Sequence, residues 1–149
     1  KLRSQILESR GIRLLNDAYN ANPASMRSAL EALARISLSQ KGGRRIAVLG
    51  DMLELGPISE TAHREVGAFA AARGVDALFA LGDLAHEVVE GGVEGGLPAE
   101  RSRAFSDRKS LVHALEDFLL PGDLLLLKGS RGLSMEKVAS ALGFEINEN

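Results

Sequence analysis

A chain of 149 residues that is 45% hydrophobic and 26% charged has the size and composition of one globular domain, large enough to bury a core without cross-links. Its formal net charge of −2 and aromatic content of 4% give neither a global field for nucleic acid or anionic membrane nor a base-stacking surface. The absence of cysteine removes disulfides, thiol nucleophiles and thiolate zinc sites.

The opening "KLRSQILESRG" has no apolar stretch of the kind a signal peptide carries, and no apolar run reaches the ~20 residues a membrane helix needs. "SQILESRGIRLLND" is predicted to be two short strands joined at Arg10-Gly11. Met26, Ala29, Leu30, Leu33, Ala34 and Ile36 recur at helical spacing and predict a helix over 24–38. "IAVLG" (46–50) reads as a buried parallel strand. After the loop "DMLELGPIS", Ser59 is the expected N-cap of a helix over 60–73, which buries Ala62, Val66, Phe69 and Ala70 and stops at Gly74. "DALFALG" (76–82) is a second buried strand. "DLAHEVVEGG" is predicted as a short helix ended by its glycines, with "GGVEGGLPAE" a surface loop. "SRAF" reads as an edge strand. Ser106 or Asp107 caps a helix to about Leu120, "DLLLLKGS" (123–130) is the third buried strand, and "SMEKVASALGF" is a final helix with Ser134 as its N-cap.

Strands alternating with helices predict an α/β fold: a three-layer, Rossmann-like open sheet, mainly parallel, with helices on both faces and an N-terminal β-hairpin. No linker or repeat divides the chain. Ligands of such sheets bind beyond the carboxyl ends of the strands, so the polar tails "NDAYNANP", "GDMLELG", "GDLAH" and "KGSRG" are the places to look.

Each tail also has a plainer explanation. Asp17 and Tyr19 lie between a strand and a helix, where Asp can accept from sugar hydroxyls; on spacing alone an N-cap or Asx turn is favoured. Asn20, Asn22 and Ser25 flank Pro23, and Asn22 reads as the N-cap of a helix that starts at Pro23, whose free N–H groups could also meet an anion. Lys128, Ser130 and Arg131 surround Gly129 and suit a phosphate or carboxylate, a reading balanced evenly against a solvated turn. His63, His86 and His113 lack metal-ligand spacing, so no metal site is predicted. The nucleophile elbow, the P-loop and the dinucleotide fingerprint are all absent.

Taken in order, "DAYNANPASMRSALEAL", "VLGDMLELGPISETAHREVG" and "LLLKGSRGLSMEKV" resemble the carboxyl-terminal domain of the Mur ligases, over essentially the whole chain, and specifically the branch that adds D-alanyl-D-alanine. The resemblance implies three domains in the complete enzyme: one for UDP-N-acetylmuramoyl-tripeptide, a central one for ATP and Mg2+, and a third, this one, that closes with D-alanyl-D-alanine. It implies ATP-dependent amide formation in peptidoglycan precursor synthesis in the bacterial cytoplasm, without nucleic acid or membrane insertion. It assigns Asp17 to the ATP ribose and Tyr19, Asn20 and Asn22 to the cleft facing the central domain. Ser25, Lys128, Ser130 and Arg131 fall on the dipeptide or phosphate side, Arg131 suiting a carboxylate. Glu54 and His63 are expected to be scaffold.

The chain is accordingly expected to be one domain of a longer enzyme, residues 1–149, holding no catalytic residue and unable to ligate alone. A phospho-receiver, with Asp17, Asp51 and Lys128 as its acidic pocket and lysine, is the alternative; the opening hairpin and an extra strand–helix unit count against it. A stand-alone nucleotide-binding module is a third, disfavoured by the missing phosphate-gripping glycine loops.

Overall fold

The computed structural model describes residues 5–18 and 20–146. Strands β1 (Gln5–Ser9) and β2 (Ile12–Asn16) form the hairpin. Its turn places Arg10 at φ 53° and Gly11 at φ 82°, the doubly left-handed pair whose twist matches a two-residue hairpin. Helix α1 is Pro23–Arg35, β3 Arg45–Gly50, α2 Ser59–Ala72, β4 Ala77–Leu81, α3 Ala85–Glu94, β5 Ser102–Phe105, α4 Arg108–Phe118, β6 Leu124–Lys128 and α5 Met135–Ala141. The six strands lie in the order β1-β2-β6-β3-β4-β5. Among the described residues only the β1–β2 pair is antiparallel, so the expected mainly parallel, three-layer sheet is the one observed.

The pleat sorts each central strand onto two cores. Ala47, Leu49, Leu78, Ala80, Leu124 and Leu126 face α1, α2 and α3. Ile46, Val48, Phe79, Leu81, Leu125 and Leu127 face α4 and α5. Because β3, β4 and β6 are buried on both faces, their sequences are apolar without alternation.

Several boundaries differ from the sequence-based expectation. Helix α1 ends three residues early, since Ile36 is extended (φ −76°, ψ 127°); Arg45 takes its last carbonyls, donating from Nε to Leu33 at 3.0 Å and from Nη2 to Ile36 at 2.6 Å. Ser59 is the first residue of α2 rather than its cap, because a 3-10 turn over Gly56–Ile58 runs straight into the helix. Asp107, not Ser106, caps α4, accepting from the Ser110 amide at 2.7 Å. Leu119 is extended, so α4 stops at Phe118. Ser134 sits at the N-cap of α5 but is left-handed (φ 52°) and makes no side-chain cap.

The largest correction is α3, which runs through Gly91 and Gly92 to Glu94 instead of ending at them. These glycines let two helices touch. A Cβ on Gly91 would collide with the Arg64 carbonyl of α2, and one on Gly67 of α2 would collide with the Val88 carbonyl of α3. The propensity cost of Gly in a helix, roughly 1 kcal/mol each, is offset by backbone contact that no larger residue permits.

Candidate functional site

The carboxyl ends of β2, β3, β4 and β6 lie along one edge of the sheet, and the four polar tails are tied to one another there. Asp17 leaves β2 with its amide donating to the Leu127 carbonyl of β6 at 3.0 Å. Ser130 leaves β6 with its amide donating to the Asp51 carbonyl at 3.0 Å, linking the β6 tail to the β3 tail. The two tails abut: a Cβ on Gly129 would lie 3.0 Å from the Gly50 Cα and 2.8 Å from the Met135 Cγ, which explains a glycine at each strand end.

Across the β2 and β6 tails, Lys128 and Asp17 form an ion pair, Nζ to Oδ2 at 3.0 Å, with side-chain exposures of 3% and 15%. Among the described residues no donor meets the other Asp17 oxygen, Oδ1. Asn16, the residue before, is 1% exposed, and its Oδ1 has no partner among the described residues. Asn20 folds its carboxamide oxygen onto the Ala21 amide at 2.9 Å. Asn22 and Ser25 form a reciprocal capping box at the start of α1: the Ser25 amide donates to Asn22 Oδ1 at 2.9 Å, and the Asn22 amide donates to Ser25 Oγ at 3.0 Å. Pro23 occupies the first helical turn, as expected from its fixed φ. Tyr19 lies outside the described residues.

In the β6 tail, Ser130 is buried and its Oγ is unpartnered among the described residues. Arg131, opening a 3-10 turn over Arg131–Leu133, is exposed. The structure therefore places Lys128 and Ser130 buried at the sheet edge with Asp17 half-buried beside them, Asn20 and Asn22 exposed at the mouth of α1, and Arg131 exposed at the 3-10 turn that follows β6. Lys128 points at Asp17 rather than at open solvent.

Asp51, in the β3 tail, and His63, on α2, are occupied structurally. The Asp51 carboxylate accepts from the Asp83 amide at 2.8 Å and the Leu84 amide at 3.0 Å, holding the turn into α3. Gly82 passes so close that a Cβ there would collide with that carboxylate. His63 is fully buried; its Nε2 accepts from the Met52 amide at 3.0 Å, and its Nδ1–H donates to the Ser59 carbonyl at 2.7 Å. An amide can only donate and a carbonyl only accept, so these partners fix the tautomer and leave no ring nitrogen for a ligand. Glu54 is exposed and left-handed, with φ 62°. Among the described residues no cluster of three His, Asp or Glu could hold a metal ion.

Sequence reasoning passed over Asn16. The signal was there: an amide ending the apolar strand "IRLLN". It also missed that Asp51 is a turn-holding group, which depends on two amides more than thirty residues away.

An open parallel sheet whose strand tails build a polar edge, with a hairpin on its flank, is the architecture of a Rossmann-like α/β ligand-binding domain. The family described as "Mur ligase, glutamate ligase domain" matches residues 2–131, and the chain belongs to that family. The UDP-N-acetylmuramoyl-tripeptide–D-alanyl-D-alanine ligase of Bacillus subtilis is 37% identical over 133 residues, 89% of this chain and 28% of that protein. The ligase of the same name from Escherichia coli is 36% identical over 131 residues, 87% of this chain and 26% of that protein. Among solved structures, MurF of Acinetobacter baumannii aligns with a TM-score of 0.79 at 28% identity, over 94% of this chain and 30% of that one. The MurF ligase of Thermotoga maritima in complex with ADP aligns with a TM-score of 0.75 at 26% identity, over 94% and 30%. The chain thus spans under a third of the length of these relatives.

Proposed function

We propose that this chain is the carboxyl-terminal, closing domain of an ATP-dependent ligase that joins D-alanyl-D-alanine to UDP-N-acetylmuramoyl-tripeptide in the bacterial cytoplasm. The observation that carries the proposal is the convergence of the "DAYNANP" and "KGSRG" tails on one polar edge, in a chain whose relatives bear that ligase's name.

In this reading the tripeptide carboxylate takes the γ-phosphoryl group of ATP, releasing ADP. The dipeptide amine then attacks the acyl phosphate, loses a proton, and expels inorganic phosphate as the amide forms. The domains outside this chain hold the UDP-substrate and the ATP triphosphate with Mg2+. This chain contributes binding and positioning. Asp17 offers Oδ1 to the ribose hydroxyls. Asn20 and Asn22, exposed at the mouth of α1, face the nucleotide domain, and the resemblance assigns Tyr19 to nucleotide binding with them. Arg131, exposed at the turn after β6, suits the dipeptide carboxylate, which a guanidinium can bind through two parallel hydrogen bonds. Ser130, one residue before it, has a buried hydroxyl with no partner among the described residues, while Ser25 serves through the capping box at the start of α1. Closing this edge over the nucleotide orients the amine and keeps water from the acyl phosphate.

Kinetics of the full-length ligase test these roles. Asp17→Ala is expected to raise the Michaelis constant for ATP, and Arg131→Ala that for D-alanyl-D-alanine. An ATP constant unchanged in the first variant, or a dipeptide constant unchanged in the second, refutes the corresponding role. The receiver alternative fits poorly, because both Asp51 oxygens are taken by backbone amides and Lys128 pairs with Asp17 instead.

A further inference from the structure

The Lys128 side chain is 3% exposed, and a buried ammonium persists only where a partner compensates its lost hydration. That partner is Asp17, from a strand 111 positions away in sequence. The geometry of the strands brings them together: Asn16 pairs with Leu127, and Leu49 with Lys128. Lys128 follows Leu124 and Leu126 onto the face covered by α1, and Asp17 follows Leu15 onto the same face. The ammonium therefore sits beneath the carboxylate, and the carboxylate, more exposed, lies between the ammonium and the ligand edge.

We infer that Lys128 is a positioning residue for nucleotide binding: it anchors Asp17 through Oδ2 so that Oδ1 is presented to the nucleotide's hydroxyls, and it touches neither phosphate nor dipeptide. This rests on the reading that Asp17 meets the nucleotide. Three observations support it. An ammonium so buried leaves no room for a second anionic partner from solvent. Among the described residues, the Asp17 tail is otherwise held near that point by one backbone hydrogen bond, from its own amide to Leu127. The carboxylate has two acceptor oxygens, of which the lysine uses one. A fixed carboxylate binds without first losing rotamer freedom, so the anchor acts on affinity.

The test uses the full-length ligase with Lys128→Met, which keeps the length and apolar stem, together with Asp17→Asn and the double variant. Lys128→Gln stands in should the Met variant fail to fold, as judged by circular dichroism and thermal melting. The expected result is a rise of about tenfold in the ATP Michaelis constant for Lys128→Met, on the scale of one charge-assisted hydrogen bond, with the D-alanyl-D-alanine constant changed less than about twofold. The double variant should match Asp17→Asn alone, because the lysine acts only through that carboxylate. Lys128→Arg, which retains the ion pair, should recover part of the loss. A raised dipeptide constant with ATP unaffected, or independent additive effects in the double variant, overturns the inference. If Asp17→Asn weakens ATP binding and Lys128→Met does not, the inference alone fails. If Asp17→Asn is silent, the nucleotide reading of Asp17 fails, and the inference with it.

Discussion

Replacing Asp51 with alanine removes the acceptor of two backbone amides at the entry to α3, at 2.8 and 3.0 Å. Hydrogen bonds to an ionised group contribute about 1.5–3 kcal/mol each. The lower figure applies, because Asp83 is exposed and Leu84 half-buried, so their amides recover water once the carboxylate is gone. The expected loss is about 3 kcal/mol, or a fall in Tm of about 6–12 °C for a domain of this size. Urea unfolding of the 149-residue chain, followed by circular dichroism, measures it. Asp51→Asn keeps one acceptor oxygen and should lose about half as much. A loss below about 0.5 kcal/mol for Asp51→Ala refutes the structural assignment. The same carboxylate separates the ligase reading from the receiver reading: incubation with acetyl phosphate and magnesium should leave the mass of the chain unchanged, and phosphorylation at Asp51 contradicts the account.

Asp123 is 2% exposed and bidentate with Arg44, whose Nε and Nη2 donate at 3.0 and 2.7 Å; this hydrogen bond, ahead of the opposing effect of burial, raises the Arg44 pKa further. Arg44→Met strands that buried carboxylate and should cost about 3 kcal/mol, the low end of the range because solvent reaches Arg44; a urea midpoint equal to the parent's refutes this. At the start of α4 the Ser110 amide and hydroxyl lower the Asp107 pKa. A carboxyl more acidic folded than unfolded stabilises the fold above the unfolded pKa and loses that effect as pH falls through the folded value. The stability advantage over Asp107→Asn should therefore be present at neutral pH and shrink below about pH 4, and a pH-independent gap in urea midpoints contradicts it.

The strands and the sheet were legible because each central strand is buried on both faces and so carries an uninterrupted apolar run. The start of α1 was legible because Asn22, Pro23 and Ser25 carry their capping chemistry within four residues. Where the deciding partner is distant, the sequence misled or fell silent. The glycines of α3 read locally as a stop, yet Gly91 is set by the Arg64 carbonyl on another helix. Asp51 looked like a free acid at a ligand edge, yet the turn after β4 claims both its oxygens. Lys128 read as evenly balanced between a surface cation and a ligand group; strand parity gives its face, but only the fold shows Asp17 above it.

Ligation itself tests the central claim most directly. The full-length protein containing this chain, supplied with ATP, magnesium, UDP-N-acetylmuramoyl-tripeptide and D-alanyl-D-alanine, should form the extended product with ADP and phosphate, while residues 1–149 alone should form none. Product from the isolated chain, or undiminished product from the full-length protein with this domain deleted, would contradict the account.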